Sequence, residues 1–269
     1  MLNAAFLGLI QALTEFLPVS SSGHLVLGKV ILGMELDGGA ATEVAMHFGT
    51  LMSVIVLFFK DIIRLFKATA RLMGNLGRVR YLWHEDPDIR LLVAIIIGCI
   101  PAGVIGLLFK DQLESAFNDP RGVCVALLCT GGLLLTTVMA PVGKESIRPL
   151  DALIIGVAQA VAIIPGISRS GSTISVAQFL GIERVDAARF SFLMSLPVIA
   201  GATLLKGKDM LANPPPADTL AALGVGAAVS FVVGLGALWA LMQLVRQGKF
   251  SIFGWYCLTL GVVGLIMLQ

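Results

Sequence analysis

Six stretches of this chain stay apolar for about 20 residues, the length a helix needs to cross the hydrocarbon core of a bilayer. They run over roughly 41–59, 90–109, 121–141, 187–205, 219–244 and 250–268. No other feature of the sequence constrains the fold as tightly, because a water-soluble surface cannot be made from such segments. Of the 269 residues 57% are hydrophobic and 13% charged, against about 25% charged in soluble domains. A soluble enzyme is thereby excluded, and nucleic acid is not expected as a partner. The first basic residue is Lys29, so no charged leader precedes the first apolar residues, and the start of the chain is expected to be mature structure. Cys99, Cys124, Cys129 and Cys257 all lie inside apolar runs without a Cys-x-x-Cys pair and read as small buried hydrophobes.

Two further stretches, 2–33 and 152–182, are apolar at both ends and interrupted in the middle. The first breaks at Pro18-Val-Ser-Ser-Ser-Gly23 and the second at Pro165-Gly-Ile-Ser-Arg-Ser-Gly171. Proline removes a backbone donor and glycine frees the chain, so a helix is expected to stop at each. Backbone left unpaired at membrane depth has to be buried in protein or face a water-filled cavity. Two re-entrant helical hairpins satisfy that condition.

The two broken segments also match each other. A shift of 148 residues superimposes Gly8, Gln11, Ala12, Ser20, Ser22 and Gly23 on Gly156, Gln159, Ala160, Ser168, Ser170 and Gly171. The chain then reads as one membrane domain of two units, about 1–145 and 146–269, each a hairpin followed by three full spans. A hairpin does not cross and three spans do, so the second unit starts on the opposite face. The expected fold is therefore an all-α integral membrane protein: an inverted-topology repeat with six full transmembrane helices and two re-entrant helical hairpins, whose breaks meet near the midplane.

Basic residues set the orientation. One face receives Lys60, Arg64, Lys67, Arg71, Arg78, Arg80, Arg90, Lys144, Arg148, Arg184, Arg189, Arg246 and Lys249; the other receives Lys29, Lys110, Arg121, Lys206 and Lys208. The richer face is expected to be cytoplasmic, which puts both termini outside. The loop from about 60 to 89 begins amphipathically, with Ile62, Ile63, Leu65 and Phe66 among Arg64, Lys67 and Arg71, and is expected to lie on anionic membrane lipid.

Ionisable side chains inside apolar segments cost about 2.5–3.5 kcal/mol at a helix centre, so Glu15, His24, Glu43, His47 and Arg169 need an explanation. Gln11 and Glu15 are four apart and share a helix face. A carboxylate there can hold a metal, orient a water, act as a base, or simply bond to loose backbone. Ser20, Ser21 and Ser22 exceed what helix capping needs, and one of them can be a nucleophile if a base such as His24 lies close. Arg169 stands at a helix start among Ser168, Ser170, Gly171 and Thr173. Free N–H groups, hydroxyls and a guanidinium fork together suit phosphate. Pairing of Arg169 with Glu15 is compatible with that. Glu43 and His47, also four apart, reach the site only if their helix lines it.

Gln11-Ala-Leu-Thr-Glu15-Phe-Leu-Pro-Val-Ser-Ser-Ser-Gly-His24 and Pro165-Gly-Ile-Ser-Arg-Ser-Gly-Ser-Thr173 closely resemble the two signatures of the bacterial undecaprenyl pyrophosphate phosphatases, the bacitracin-resistance family. Phe190-Ser-Phe-Leu-Met-Ser-Leu-Pro197 and the segment around Glu43 are also similar, and the likeness covers nearly the whole chain. The resemblance implies hydrolysis of the lipid pyrophosphate to undecaprenyl phosphate, a divalent cation such as Mg²⁺ or Ca²⁺, and a site open to the periplasm. Carried onto this sequence, it implies Gln11 and Glu15 in the acidic motif, Ser21 and His24 beside it, and Ser168, Arg169, Ser170 and Thr173 at the phosphate. Many relatives carry glutamate where this chain has Gln11, which cannot serve as a base, so that role concentrates on Glu15.

The expected activity is thus a membrane phosphatase. Glu15, with Glu43, would hold the cation, Arg169 would bind the pyrophosphate, and Ser21 or a water would attack with His24 handling a proton. Ser20 and His47 are supporting residues. The competing class is a transporter, a lipid-phosphate flippase using the same anion pocket, since inverted repeats with broken helices also serve alternating access. A homodimer is a candidate assembly.

Overall fold

The computed structural model describes residues 1–31, 39–141, 143, 146–212 and 216–268. Its regular elements are all helical: α1 (Leu2–Phe16), α2 (Ser21–Ile31), α3 (Gly39–Leu57), α4 (Phe59–Gly74), α5 (Val79–Glu85), α6 (Pro87–Leu108), α7 (Lys110–Ala116), α8 (Pro120–Thr136), α9 (Pro149–Val161), α10 (Arg169–Phe179), α11 (Arg184–Ala212), α12 (Ala217–Arg246) and α13 (Ile252–Met267), with two short 3₁₀ turns. Starts are written in the sequence. Asp86 and Asp119 accept from the first-turn N–H groups of α6 and α8, each followed by a proline at the first helical position. There the missing donor is harmless and the ring fixes φ.

Among the described residues, four helical segments are long and apolar enough to cross a membrane: Pro87–Leu108, Pro120–Met139, Arg184–Leu204 and Thr219–Arg246. The other two expected spans, 41–59 and 250–268, fall on α3 (Gly39–Leu57) and α13 (Ile252–Met267). Gly248 takes φ 71 and the chain turns before α13 can start. Phe58, at φ −101 and ψ 22, separates α3 from α4. The amphipathic stretch after residue 60 is the helix α4, which Asp61 ties to Arg189 of α11 through an ion pair.

In a bilayer, apolar burial alone does not hold helices together, and close backbone approach through small residues takes over. Each half shows this at a matching glycine. A Cβ added to Gly8 of α1 would lie 2.5 Å from the Gly226 carbonyl oxygen of α12. One added to Gly156 of α9 would collide with the Gly98 carbonyl oxygen of α6. So α1 is seated on α12, and α9 on α6, by the residue that the internal repeat pairs. Gly131 and Gly254 do the same between α8 and α13. The end of α1 is pinned by Phe16, fully buried, whose ring meets Phe192 of α11 edge-on at 6.0 Å. Phe192 stacks in turn on Phe58 at 6.1 Å. This aromatic cluster lies one residue from Glu15 and holds that end of α1 in place.

Candidate active site at the two helix breaks

Helix α1 stops at Phe16 because Leu17 turns to extended backbone (φ −63, ψ 143) ahead of Pro18, as expected for the residue before a proline. Ser20 then adopts φ 65, a left-handed conformation uncommon for a residue with a side chain. Local bonds hold it there: its hydroxyl accepts from Gly23 N at 3.2 Å, and its carbonyl takes His24 N at 3.2 Å and His24 Nδ1 at 2.8 Å. In the second break the left-handed position is Gly166, at φ 94. Ser168 caps α10, its hydroxyl accepting from Gly171 N at 3.1 Å. The two breaks touch: a Cβ on Gly23 would sit 3.3 Å from Gly166 Cα, and one on Gly171 3.4 Å from Pro18 Cβ.

Each break is also held from outside by one side chain of a neighbouring helix. Thr130 of α8 donates to Gly166 O at 3.0 Å and accepts from Ser168 N at 3.1 Å. Cys257 of α13 reaches Pro18 O at 3.5 Å. These are carbonyls that the helix breaks would otherwise leave unpaired, and buried unpaired carbonyls are costly.

Where the breaks meet lies a polar cavity of about 70 Å³, lined by Thr14, Glu15, Ser20, Ser21, Ser22, Ala162, Ile167, Ser168 and Arg169. Arg169 Nη2 donates to Glu15 Oε1 at 2.6 Å, with side chains only 17% and 8% exposed. Ser21 Oγ donates to Glu15 Oε2 at 2.8 Å, and Gln11 Nε2 donates to the same oxygen at 3.2 Å. Gln11 Nε2 also stands 3.2 Å from His47 Nδ1, which brings α3 to the site through the amide. Arg169 Nη1 is buried without a partner among the described residues, so one arm of the guanidinium fork has no acceptor.

Three expectations are corrected or left aside. Thr173 does not face the cavity: one turn into α10, it is fully buried and bonded to Arg169 O at 2.8 Å and Ser191 Oγ at 2.6 Å. It braces the arginine's backbone. His24 points away from Ser21, because its Nδ1 bonds to Ser20 O and its Nε2 lies 2.7 Å from the Tyr256 hydroxyl. The side chain of Glu43 lies outside the described residues. Ser170 is buried with its hydroxyl 3.4 Å from that of Ser168, and Gly171 supplies close approach to Pro18. Tyr256, Thr130 and Ser191 were not singled out in the sequence, since a lone hydroxyl in an apolar helix carries no visible signal.

As a cation site the described side chains are incomplete. Among the described residues no three His, Cys, Asp or Glu side chains converge, and Glu15 is the one carboxylate in the cavity lining, its oxygens already facing donors. An all-protein cage does not fit. Magnesium commonly takes one or two carboxylates plus phosphate oxygens of the substrate, and Glu15 fits that pattern. Chemically, the arrangement offers a hydroxyl beside a carboxylate, a half-free guanidinium, and the N-terminus of α10.

The sequence family described as bacitracin resistance protein BacA matches residues 4–263. An undecaprenyl-diphosphatase of Salinibacter ruber is 40% identical over 267 residues, 99% of this chain and 98% of its own. One from Desulforapulum autotrophicum is 44% identical over 266 residues, 97% and 95% of the two chains. One from Methanosphaera stadtmanae is 37% identical over 274 aligned positions, 99% and 98%.

Proposed function

Because the chain belongs to the bacitracin resistance protein BacA family, we propose that it hydrolyses undecaprenyl pyrophosphate to undecaprenyl phosphate and inorganic phosphate. One observation carries this reading at the level of the site: Arg169, at the N-terminus of α10 in one broken segment, is bonded to Glu15 of the other, with Ser21 on the same carboxylate. A buried guanidinium with an open arm and a helix N-terminus form an anion site. A hydroxyl 2.8 Å from a carboxylate is within reach for proton transfer.

In the proposed course, Arg169 Nη1 and the first-turn N–H groups of α10 hold the terminal phosphoryl oxygens. Ser21 Oγ attacks the terminal phosphorus and passes its proton to Glu15 Oε2. The bond from that phosphorus to the bridging oxygen breaks, and undecaprenyl phosphate leaves. Water then cleaves the phosphoserine and releases inorganic phosphate. The Ser21–Glu15 bond favours this route over direct attack by water. Charge stabilisation by Arg169 in a dry site is the largest contribution asked of the protein. Glu15 would hold a divalent cation, Mg²⁺ or Ca²⁺, together with pyrophosphate oxygens, Glu43 being the second expected ligand. When bound, such a cation supplies Lewis-acid polarisation of the phosphoryl oxygens.

The architecture is read as an inverted repeat in a bacterial inner membrane, with two re-entrant hairpins, termini outside and the site open to the periplasm. Support comes from the matching halves: Gly8 on α12 answers Gly156 on α6, and Ser20 capping Gly23 answers Ser168 capping Gly171. The flippase reading gains nothing from the relatives, whose names are those of a hydrolase. Phosphate release by the purified protein, with and without a chelator, tests the proposal. Release that stops with chelator and with Arg169→Ala is expected. Release unaffected by Glu15→Gln and Arg169→Ala would sink it.

A further inference from the structure

A second polar cavity, of about 290 Å³, opens among α4, α6 and α11 and is lined by Arg64, Asp88, Arg90, Ser146, Asp186 and Arg189. Guanidinium groups from three helices converge on it. Arg189 gives one arm to Asp61, and its Nε is buried without a partner among the described residues. Arg90 Nη1 donates to the His84 carbonyl oxygen at 2.9 Å. Among the described residues neither Arg64 nor Arg90 makes an ion pair. Asp88 leans toward Arg71, outside the lining, at 3.4 Å. A guanidinium carries about five N–H donors and no acceptor, a carboxylate about four acceptor sites. The lining therefore offers more donors than its own acids take up. Helix α4 also sets the depth of the cavity. Ile63, Phe66 and Met73 are exposed apolar side chains on it, interleaved with Arg64, Lys67 and Arg71. A helix of that pattern lies in the membrane interface, with its basic side chains among the headgroups.

We propose that this cavity binds the phosphodiester group of an acidic phospholipid, with Arg64, Arg90 and Arg189 donating to its oxygens. Planar guanidinium forks match phosphate oxygens and are the favoured groups for such recognition. A lipid is selected over a soluble anion by the position of Arg64, which lies between Ile63 and Phe66 on α4. Acyl chains beside those apolar side chains leave the phosphate at the level of the arginine. An acidic headgroup is selected because guanidinium groups outnumber carboxylates in the lining and Asp88 is already shared with Arg71. The bound headgroup joins α4, α6 and α11 at the membrane surface. On α11 the residue two beyond Arg189 is Ser191, which bonds to Thr173 at 2.6 Å, and Thr173 holds the Arg169 carbonyl at 2.8 Å. The lipid thus fastens the outer end of the helix that braces the catalytic arginine.

The full chain is titrated in detergent with phosphatidylglycerol, and bound lipid is counted by native mass spectrometry. Turnover plays no part in this readout, so its result is independent of the hydrolase reading. Phosphatidylglycerol is expected to stay bound where phosphatidylcholine washes off, and to raise the unfolding temperature. Arg64→Gln and Arg90→Gln are each expected to weaken phosphatidylglycerol binding about fivefold, the usual contribution of one basic side chain at an acidic membrane surface. Lys67 is exposed on the same helix and outside the lining, so Lys67→Gln is expected to change binding much less. Arg64 is itself exposed, so its replacement leaves the core intact; should Arg90→Gln fail to fold, Arg64→Gln against Lys67→Gln decides. A photoreactive phosphatidylglycerol is expected to label α4, α6 or the start of α11 in the parent and to lose that label in Arg64→Gln. Equal losses in Arg64→Gln and Lys67→Gln would mean diffuse attraction to the surface and overturn the proposal. Equal retention of phosphatidylcholine, displacement of the lipid by inorganic phosphate, or labelling confined to other helices would overturn it as well.

Discussion

The two helix breaks share a frame and differ in cargo. In each, a serine hydroxyl caps a glycine N–H three residues on, and a second serine follows within reach of the first. In each, a side chain from α8 or α13 pairs with a buried carbonyl that the break frees. The 148-residue shift places Ser21 opposite Arg169 and Glu15 opposite Ile163. One break therefore carries an acid and a hydroxyl, the other a cation. A frame repeated twice can be kept by packing alone. The chemistry requires the copies to diverge, because two carboxylates would repel phosphate and two arginines would lack a base.

The largest effect is expected where the two cargoes meet. Arg169→Ala removes the proposed phosphate anchor and leaves Glu15 buried without its ion-pair partner. Phosphate release should fall at least about a thousandfold, and the protein should lose about 3–5 kcal/mol of stability, the usual cost of breaking a buried pair. Exchanging the two, Glu15→Arg with Arg169→Glu, restores the pair. Thermal stability should return in part while activity does not, because a carboxylate then occupies the anion site at the start of α10. Activity in the exchanged protein would show that the breaks are interchangeable and the division of labour is wrong.

Ser21→Ala comes next, with a loss of about a hundredfold to a thousandfold in kcat and little change in stability. Rapid quench with labelled substrate should trap phosphate on Ser21 of the parent chain. Its matched control is the pair of caps. Ser20→Ala and Ser168→Ala each remove one first-turn acceptor, at about 1 kcal/mol each. Denaturation midpoints should fall equally if the frames are equivalent. A much larger loss at Ser20 would mean that its left-handed conformation depends on that one hydroxyl.

Much of this was legible in the sequence, and the reasons are physical. Breaks at Pro18 and Pro165 show because proline there comes with a cluster of glycine and serine, whereas the isolated Pro101 and Pro197 lie inside continuous helices. Glu15 and Arg169 show because charge is costly at membrane depth. Ser20 and Ser168 show through the repeat. Thr173 misled because its place in the motif gives proximity along the chain and not helix phase: four residues after Arg169 it faces Ser191 on α11. His24 misled for the same reason, its imidazole lying against Tyr256 of a helix 232 residues away. Hydropathy places a span at 250–268, and the helix there runs Ile252–Met267.

The smallest effect separates frame from cargo most cleanly. Gln11 and Gln159 are repeat partners, both 2% exposed. Gln11 is bonded to Glu15 and lies beside His47. Both amide atoms of Gln159 are buried without a partner among the described residues. A buried unsatisfied amide costs about 1–3 kcal/mol, and replacing it by an apolar group of similar shape removes that penalty. Gln159→Leu should therefore leave phosphate release unchanged and raise the unfolding midpoint, by about 1 kcal/mol of stability. Gln11→Leu should lower turnover about tenfold, because it takes a donor from the carboxylate that receives the proton. Should Gln159→Leu destabilise the protein or reduce turnover as Gln11→Leu does, the second glutamine has a bonded role and the two halves share more than their frame.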